Sequence, residues 1–95
     1  MTSPQSDATA APSSSTPVAV VTGAARGIGL AITNWFLAQG HRVIMLDIDQ
    51  ETLATAARDL GDEARGLALQ CDVSQPDQVQ ACIDRGAARF GRIDY

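Results

Sequence analysis

Short apolar runs alternate with stretches in which apolar residues recur every three or four positions, and the alternation begins only at Pro17. Val18-Ala19-Val20-Val21 is an uninterrupted, largely β-branched run closed by Thr22-Gly23. Such a run suits a strand covered on both faces. Residues 27–39 follow, with Ile28, Ile32, Trp35 and Phe36 at helical spacing, and Gly40 is placed to end that helix. Residues 42–46 form a second apolar run, ending at Asp47. Residues 50–60 predict a helix with Leu53, Ala56, Ala57 and Leu60 on one face, Asp49 as its N-cap and Gly61 as its stop. Residues 66–71 predict a third strand, ending at Asp72. Ser74 and Asp77 have the spacing of a capping box, with Pro76 in the first turn of a third helix. The apolar stripe of that helix is Val79, Cys82, Ile83, Ala87 and Phe90; Gly91 ends it, and Ile93-Asp94-Tyr95 reads as the approach to a fourth strand.

Strand and helix thus alternate three times. That order predicts an α/β fold with a parallel sheet and right-handed crossovers, in three αβα layers, stopping before strand 4. Residues 1–16 contrast with the rest. They hold eight Ser or Thr, two Pro, three Ala and a single charge, Asp7, with no periodicity, and are expected to form a disordered N-terminal tail. The tail has neither the basic and apolar regions of a secretory signal nor the arginines of a mitochondrial presequence.

At 95 residues the chain predicts one domain at most. The charge is seven Arg and no Lys against eleven acids, a formal net charge of −4. This balance argues against nucleic acid and membrane surfaces as partners, since both are anionic. No apolar run approaches the length of a membrane span. Cys71 and Cys82 are too few to staple a secreted mini-protein and are expected to be free thiols in a reducing, cytoplasmic setting, packed as small hydrophobes. With one distant histidine, His41, they make no metal site. His41 itself is expected at the surface.

The candidate chemistry lies between the first strand and first helix, in Thr22-Gly23-Ala24-Ala25-Arg26-Gly27-Ile28-Gly29. A diphosphate must come close to backbone N–H groups at a helix N-terminus, and a side chain at the turn would block it. One glycine permits the turn, one the approach, and one close packing of helix on sheet. The spacing is neither G-x-G-x-x-G nor a Walker A loop, which would need a lysine. A turn that only tightens the strand–helix junction is the plainer reading of the same glycines. Asp47, closing the second strand, can accept from both hydroxyls of an adenosine ribose and would then repel a 2′-phosphate, favouring NAD over NADP. Its plainer reading is a turn or capping residue. Arg26 could face either phosphate, whereas Arg42 lies too early in its strand. Asp72, closing the third strand, can accept from an adenine amino group with Val73 along the base, or can simply open an Asx-type turn.

In combination, Thr22-Gly23-xxx-Gly27-Ile28-Gly29, Asp47, Cys71-Asp72-Val73 and Gly91-Arg92-Ile93-Asp94 resemble the start of the short-chain dehydrogenase/reductase family. The resemblance covers residues 18–95. It implies that residues 17–95 are the N-terminal half of a Rossmann-type dinucleotide-binding domain. It also implies Gly23, Arg26, Gly27, Ile28 and Gly29 around a pyrophosphate, Asp47 on the ribose, and Asp72 with Val73 at the adenine. The implied activity is hydride transfer between a nicotinamide cofactor, NAD, and a small-molecule alcohol or carbonyl, in a homo-oligomeric parent. The family's Asn-Asn-Ala-Gly segment, its catalytic Ser and its Tyr-x-x-x-Lys pair have no counterpart here, so no catalytic residue is expected in this chain. Tyr95, without a lysine to lower its pKa, is expected to start the fourth strand instead. The alternative is a stand-alone nucleotide-binding or protein-interaction module without catalysis. With its first strand left as a sheet edge, so small a chain is expected to be partly unfolded or self-associated.

Overall fold

The structure, a computed structural model, describes residues 16–61 and 64–95. The expected tail lies, except for Thr16, outside the described residues. The elements run β1 (Val18–Thr22), α1 (Gly27–Ala38), β2 (Arg42–Asp47), α2 (Gln50–Leu60), β3 (Gly66–Gln70) and α3 (Pro76–Phe90). The strands form one parallel sheet in the order β1-β2-β3, with Val18 opposite Arg42, Thr22 opposite Leu46, and Asp47 opposite Gln70. All three strands therefore end at the same rim.

The uninterrupted apolar runs are explained by burial on both sides. Alternate residues point to opposite faces. Val21, Val43 and Met45 meet Leu30, Phe36 and Leu37 of α1 and Leu53, Ala56 and Leu60 of α2. Val18, Ile44, Leu46 and Leu69 meet Cys82 and Phe90 of α3 on the other face, with Cys71 and Ile93. The division follows from handedness. Two crossovers in one direction put α1 and α2 on one face; the third reverses direction and puts α3 on the other. At Gly86, α3 comes so close that an added Cβ would collide with the buried Ile44 side chain. Cys71 and Cys82 are buried free thiols, and burial pushes the Cys71 thiol up.

The reversal carries the chain back to the far edge of β1. The N–H of Asp94 donates to Val18 O at 2.8 Å and the N–H of Val20 to Tyr95 O at 3.0 Å. β1 is the outermost strand of the sheet, as expected, but the first half of its edge is covered by these contacts. Asp94 fastens the contact: its Oδ2 accepts from Val18 N–H at 2.9 Å, and Arg92 grips both its oxygens, at 2.6 and 2.9 Å. The Arg92 guanidinium holds the Asp94 carboxyl below the usual carboxylate range; the Val18 N–H acts in the same direction and burial opposes both. A folded-state pKa below the unfolded one means stabilisation present above the ordinary carboxylate pKa and lost as pH falls through the folded value. Exchange protection at the Val18 and Val20 amides, corrected for intrinsic rates, should hold from neutrality down to about pH 4 and fall on further acidification. Asp94→Asn should lower it throughout. Protection indifferent to both would refute the anchoring role.

Three local expectations need correction. The Ser74–Asp77 capping box does not form: Gln75 is the N-cap of α3, without a side-chain bond, and Ser74 turns back to Asp72. His41 is not a surface residue but half-buried, its ring 5.4 Å from Phe36 and 5.8 Å from Tyr95. The first helix ends one residue early, at Ala38, with Gly40 just beyond at φ +87°. Gly40 N–H donates to Leu37 O and His41 N–H to Phe36 O, each at 3.0 Å, which is a Schellman closure. Among the described residues no helix is long and apolar enough to cross a membrane.

Candidate functional site

β1 pairs with β2 on one side, and on the other residues 94–95 hydrogen-bond to its first half, so β1 is where the connections diverge. In open α/β sheets a crevice opens at the carboxyl end of such a strand. The loop leaving β1 there is residues 23–26. Gly23 and Gly27 have φ of +62° and +58°, a left-handed backbone that other residues adopt only at a cost. A Cβ added at either would meet nothing within 4 Å, so the space before them is open and the backbone bare. Gly29 differs. Its Cβ would run into the Gly23 carbonyl, with Thr22 O at 3.0 Å. This glycine lets α1 press directly on the loop backbone.

Small residues hold the loop down. Ala24 and Ala25 are buried. The N–H of Ala24 donates to Leu46 O and that of Ala25 to Asp47 Oδ2, both at 3.0 Å. The N-terminus of α1 carries no acid of its own: Arg26, the N-cap, makes no side-chain capping bond, and the first turn holds no acid. In contrast, α2 is capped by Asp49 and carries Glu51, and α3 has Asp77 in its first turn. Since intrahelical bonding starts with Leu30 N–H to Arg26 O, the preceding N–H groups of α1 have no intrahelical acceptor. Such an end accepts an anion on its amides and dipole.

Asp47 stands at the tip of β2, half-buried. Its Oδ2 accepts from Ala25 N–H and its Oδ1 from Asp49 N–H, both at 3.0 Å. The Asp49 bond makes it a turn residue, and the Ala25 bond sets its other oxygen against the glycine loop. Each oxygen keeps a lone pair for a further donor. Arg26 reaches sideways, its Nη2 donating to Asp49 Oδ2 at 2.6 Å and to Thr52 Oγ1 at 3.2 Å. Bonds from the Thr52 N–H and hydroxyl, then from Arg26, hold the Asp49 carboxyl below the usual range.

Asp72 and Val73 stand one strand farther out, beyond β3. Asp72 Oδ1 accepts from the N–H and hydroxyl of Ser74, at 3.0 and 2.6 Å, and these bonds hold its carboxyl below the usual range. This is the Asx-type turn of the plainer reading. Val73 is 58% exposed. The structure thus brings together Gly23, Gly27, Ile28, Gly29, Arg26 and Asp47, and leaves Asp72 and Val73 as an outer pair. Sequence reasoning missed Ile48, 60% exposed at the tip of β2, whose carbonyl accepts from Gln70 Nε2 at 3.2 Å. An apolar residue between a strand-ending acid and a helix N-cap has no buried face to occupy, which was the available signal. It also missed Asp49 and Thr52 as partners of Arg26.

Comparison with known proteins agrees with this fold. Residues 17–95 match the family described as short chain dehydrogenase. The chain is 45% identical over 76 residues to an uncharacterised oxidoreductase of Mycobacterium bovis, covering 80% of this chain and 31% of that protein. It is 45% identical over 78 residues to a D-threitol dehydrogenase of Mycolicibacterium smegmatis, covering 81% and 30%. Among solved structures, a short chain dehydrogenase/reductase of Burkholderia phymatum in complex with NAD superposes with a TM-score of 0.78 at 33% identity, over 82% of this chain and 28% of that one. The chain spans about three tenths of the length of the curated relatives it matches.

Proposed function

The chain belongs to the short-chain dehydrogenase family, and from that premise we propose that its residues 17–95 hold the adenosine diphosphate half of NAD in an oxidoreductase acting on a small alcohol or carbonyl compound. The observation that carries the reading is the Ala25 N–H to Asp47 bond. It joins an uncapped helix N-terminus, fronted by two open glycines, to a carboxylate with acceptor capacity left over. A pyrophosphate fits the first and a ribose diol fits the second. Bound there, NAD supplies or accepts a hydride.

The chain's own residues do the holding. Gly23 and Gly27 keep side chains out of the approach, and the amides around Ile28 and Gly29 carry the diphosphate. Asp47 accepts from the ribose hydroxyls. Its negative charge disfavours a 2′-phosphate, so NAD is preferred over NADP. Val73 and Ile48 offer apolar surface to the adenine, and Asp72 offers an acceptor for its amino group. Acid–base catalysis is assigned to none of these residues. Tyr95 lies 5.6 Å from Phe36, against α1, and the chain has no lysine. The name of the D-threitol dehydrogenase supports an alcohol as the class of substrate. A homo-oligomeric, cytoplasmic setting is proposed on the same family grounds.

Isothermal calorimetry tests the reading. NAD and ADP should both give saturable heats, and nicotinamide mononucleotide, which lacks the adenosine half, should not. In amide spectra, ADP should shift Gly23, Gly27 and Ile28 most. Flat heats with ADP, or equal binding of the mononucleotide, would overturn it.

A further inference from the structure

Asp47 is flanked on both sides by a single ion pair. Ala25, whose N–H donates to Asp47 Oδ2, immediately precedes Arg26; Asp49, whose N–H donates to Asp47 Oδ1, is Arg26's partner at 2.6 Å. Any group resting on Asp47 therefore lies beside this pair. Arg26 carries the sole positive side chain of the glycine loop, yet its guanidinium is directed at the N-terminus of α2, where Asp49 and Thr52 both accept from it. Asp49 is in turn fixed by its own capping duty. Its Oδ1 accepts from Thr52 N–H at 3.2 Å and its Oδ2 from Thr52 Oγ1 at 2.8 Å.

We propose that Asp49 is a specificity-determining residue: by engaging Arg26 it denies a 2′-phosphate the guanidinium of the glycine loop, and so sets the discrimination between plain and 2′-phosphorylated adenosine. The proposal rests on the reading of Asp47 as the ribose seat. The charges decide it. A 2′-phosphate arriving at Asp47 meets two carboxylates, Asp47 and Asp49, and one guanidinium, a local sum of −1. Without the Asp49 charge the sum is zero, and Arg26 is released to make charge-assisted bonds to phosphate oxygens. The pair is largely exposed, with side chains 64% and 41% accessible, so it contributes little to stability and can be altered without loss of the fold. Its effect is on where Arg26 points.

Asp49→Asn separates the charge from the cap, because asparagine is as good an N-cap as aspartate. Equilibrium binding of adenosine 2′,5′-bisphosphate and of ADP would be measured on the 95-residue chain. The substitution should tighten the bisphosphate about tenfold, one released charge-assisted group, and leave ADP within a factor of about two. Adding Arg26→Ala to Asp49→Asn should abolish the gain. An unchanged bisphosphate-to-ADP ratio in Asp49→Asn, or a gain that survives loss of Arg26, would overturn the proposal while leaving the ribose seat intact. Binding of neither ligand by the unsubstituted chain would instead bring down the ribose seat itself, and this inference with it.

Discussion

Gly29→Ala is expected to destabilise the domain by about 2 kcal/mol, although alanine ordinarily gains about 1 kcal/mol over glycine in a helix. The sign is set by what the methyl meets. Its neighbours are the Gly23 carbonyl and, at 3.0 Å, the Thr22 oxygen. These are backbone atoms at the end of a hydrogen-bonded strand and cannot rotate aside as a side-chain tip would. Relief requires α1 to lift from the loop, which would disturb Leu30, Phe36 and Leu37 in the core beneath it. In a folded unit this small, 2 kcal/mol corresponds to a fall in Tm of roughly 8–16 °C. Gly23→Ala is the comparison. It adds a methyl where nothing lies within 4 Å but at a φ of +62°, costing about 1 kcal/mol in backbone strain alone. Gly29→Ala should therefore be the worse of the two in thermal unfolding. A Gly29→Ala protein as stable as the parent would mean that α1 does not rest on the loop backbone, and the bare amides would lose their fixed position.

The two glycines also show what a sequence can convey. Both carry the same letter in one motif, and the motif's position between a β-branched run and an amphipathic stretch was enough to predict a strand, a tight turn and a helix. Which glycine serves conformation and which serves close approach depends on how near the helix backbone comes to the loop backbone in space, and only the structure gives that. The strands were legible because burial on both faces leaves no polar position inside them, as in residues 43–46. The Ser74–Asp77 box failed for a competing local reason. Asp72, two residues upstream, draws both the N–H and hydroxyl of Ser74 into its own turn, so the side chain that would cap α3 is already engaged. His41 was misplaced because one of its two ring neighbours, Tyr95, comes from more than fifty positions away, returning along β1. Likewise Arg26 could be assigned to the loop, but not aimed, since its partners Asp49 and Thr52 come from the next helix.

Asp47→Asn should weaken NAD binding far more than the conservative substitution Asp49→Asn at the same rim. The shape is retained and the charge is lost. One amide oxygen can still accept from Ala25 or Asp49, but the amide NH2 must then face the other N–H, donor against donor. A structural cost of about 1 kcal/mol is expected from the lost bond, and it would follow from the turn role alone. The ligand effect is the discriminating one. Losing a charged acceptor for a ribose hydroxyl removes about 1.5–3 kcal/mol, or roughly 10- to 100-fold in NAD affinity. The 2′-phosphorylated form never gains that bond and is relieved of a repulsion, so its affinity should hold or rise. The two readings of Asp47 thus separate on one measurement, the ratio of NAD to NADP dissociation constants. If Asp47 acts only through the turn, loosening the loop weakens both dinucleotides together and the ratio stays put while Tm falls. If it also seats the ribose, the ratio collapses by at least tenfold, and a comparable fall in Tm from Gly86→Ala, which crowds Ile44 on the α3 face of the sheet and leaves both rim carboxylates charged, will not reproduce that collapse.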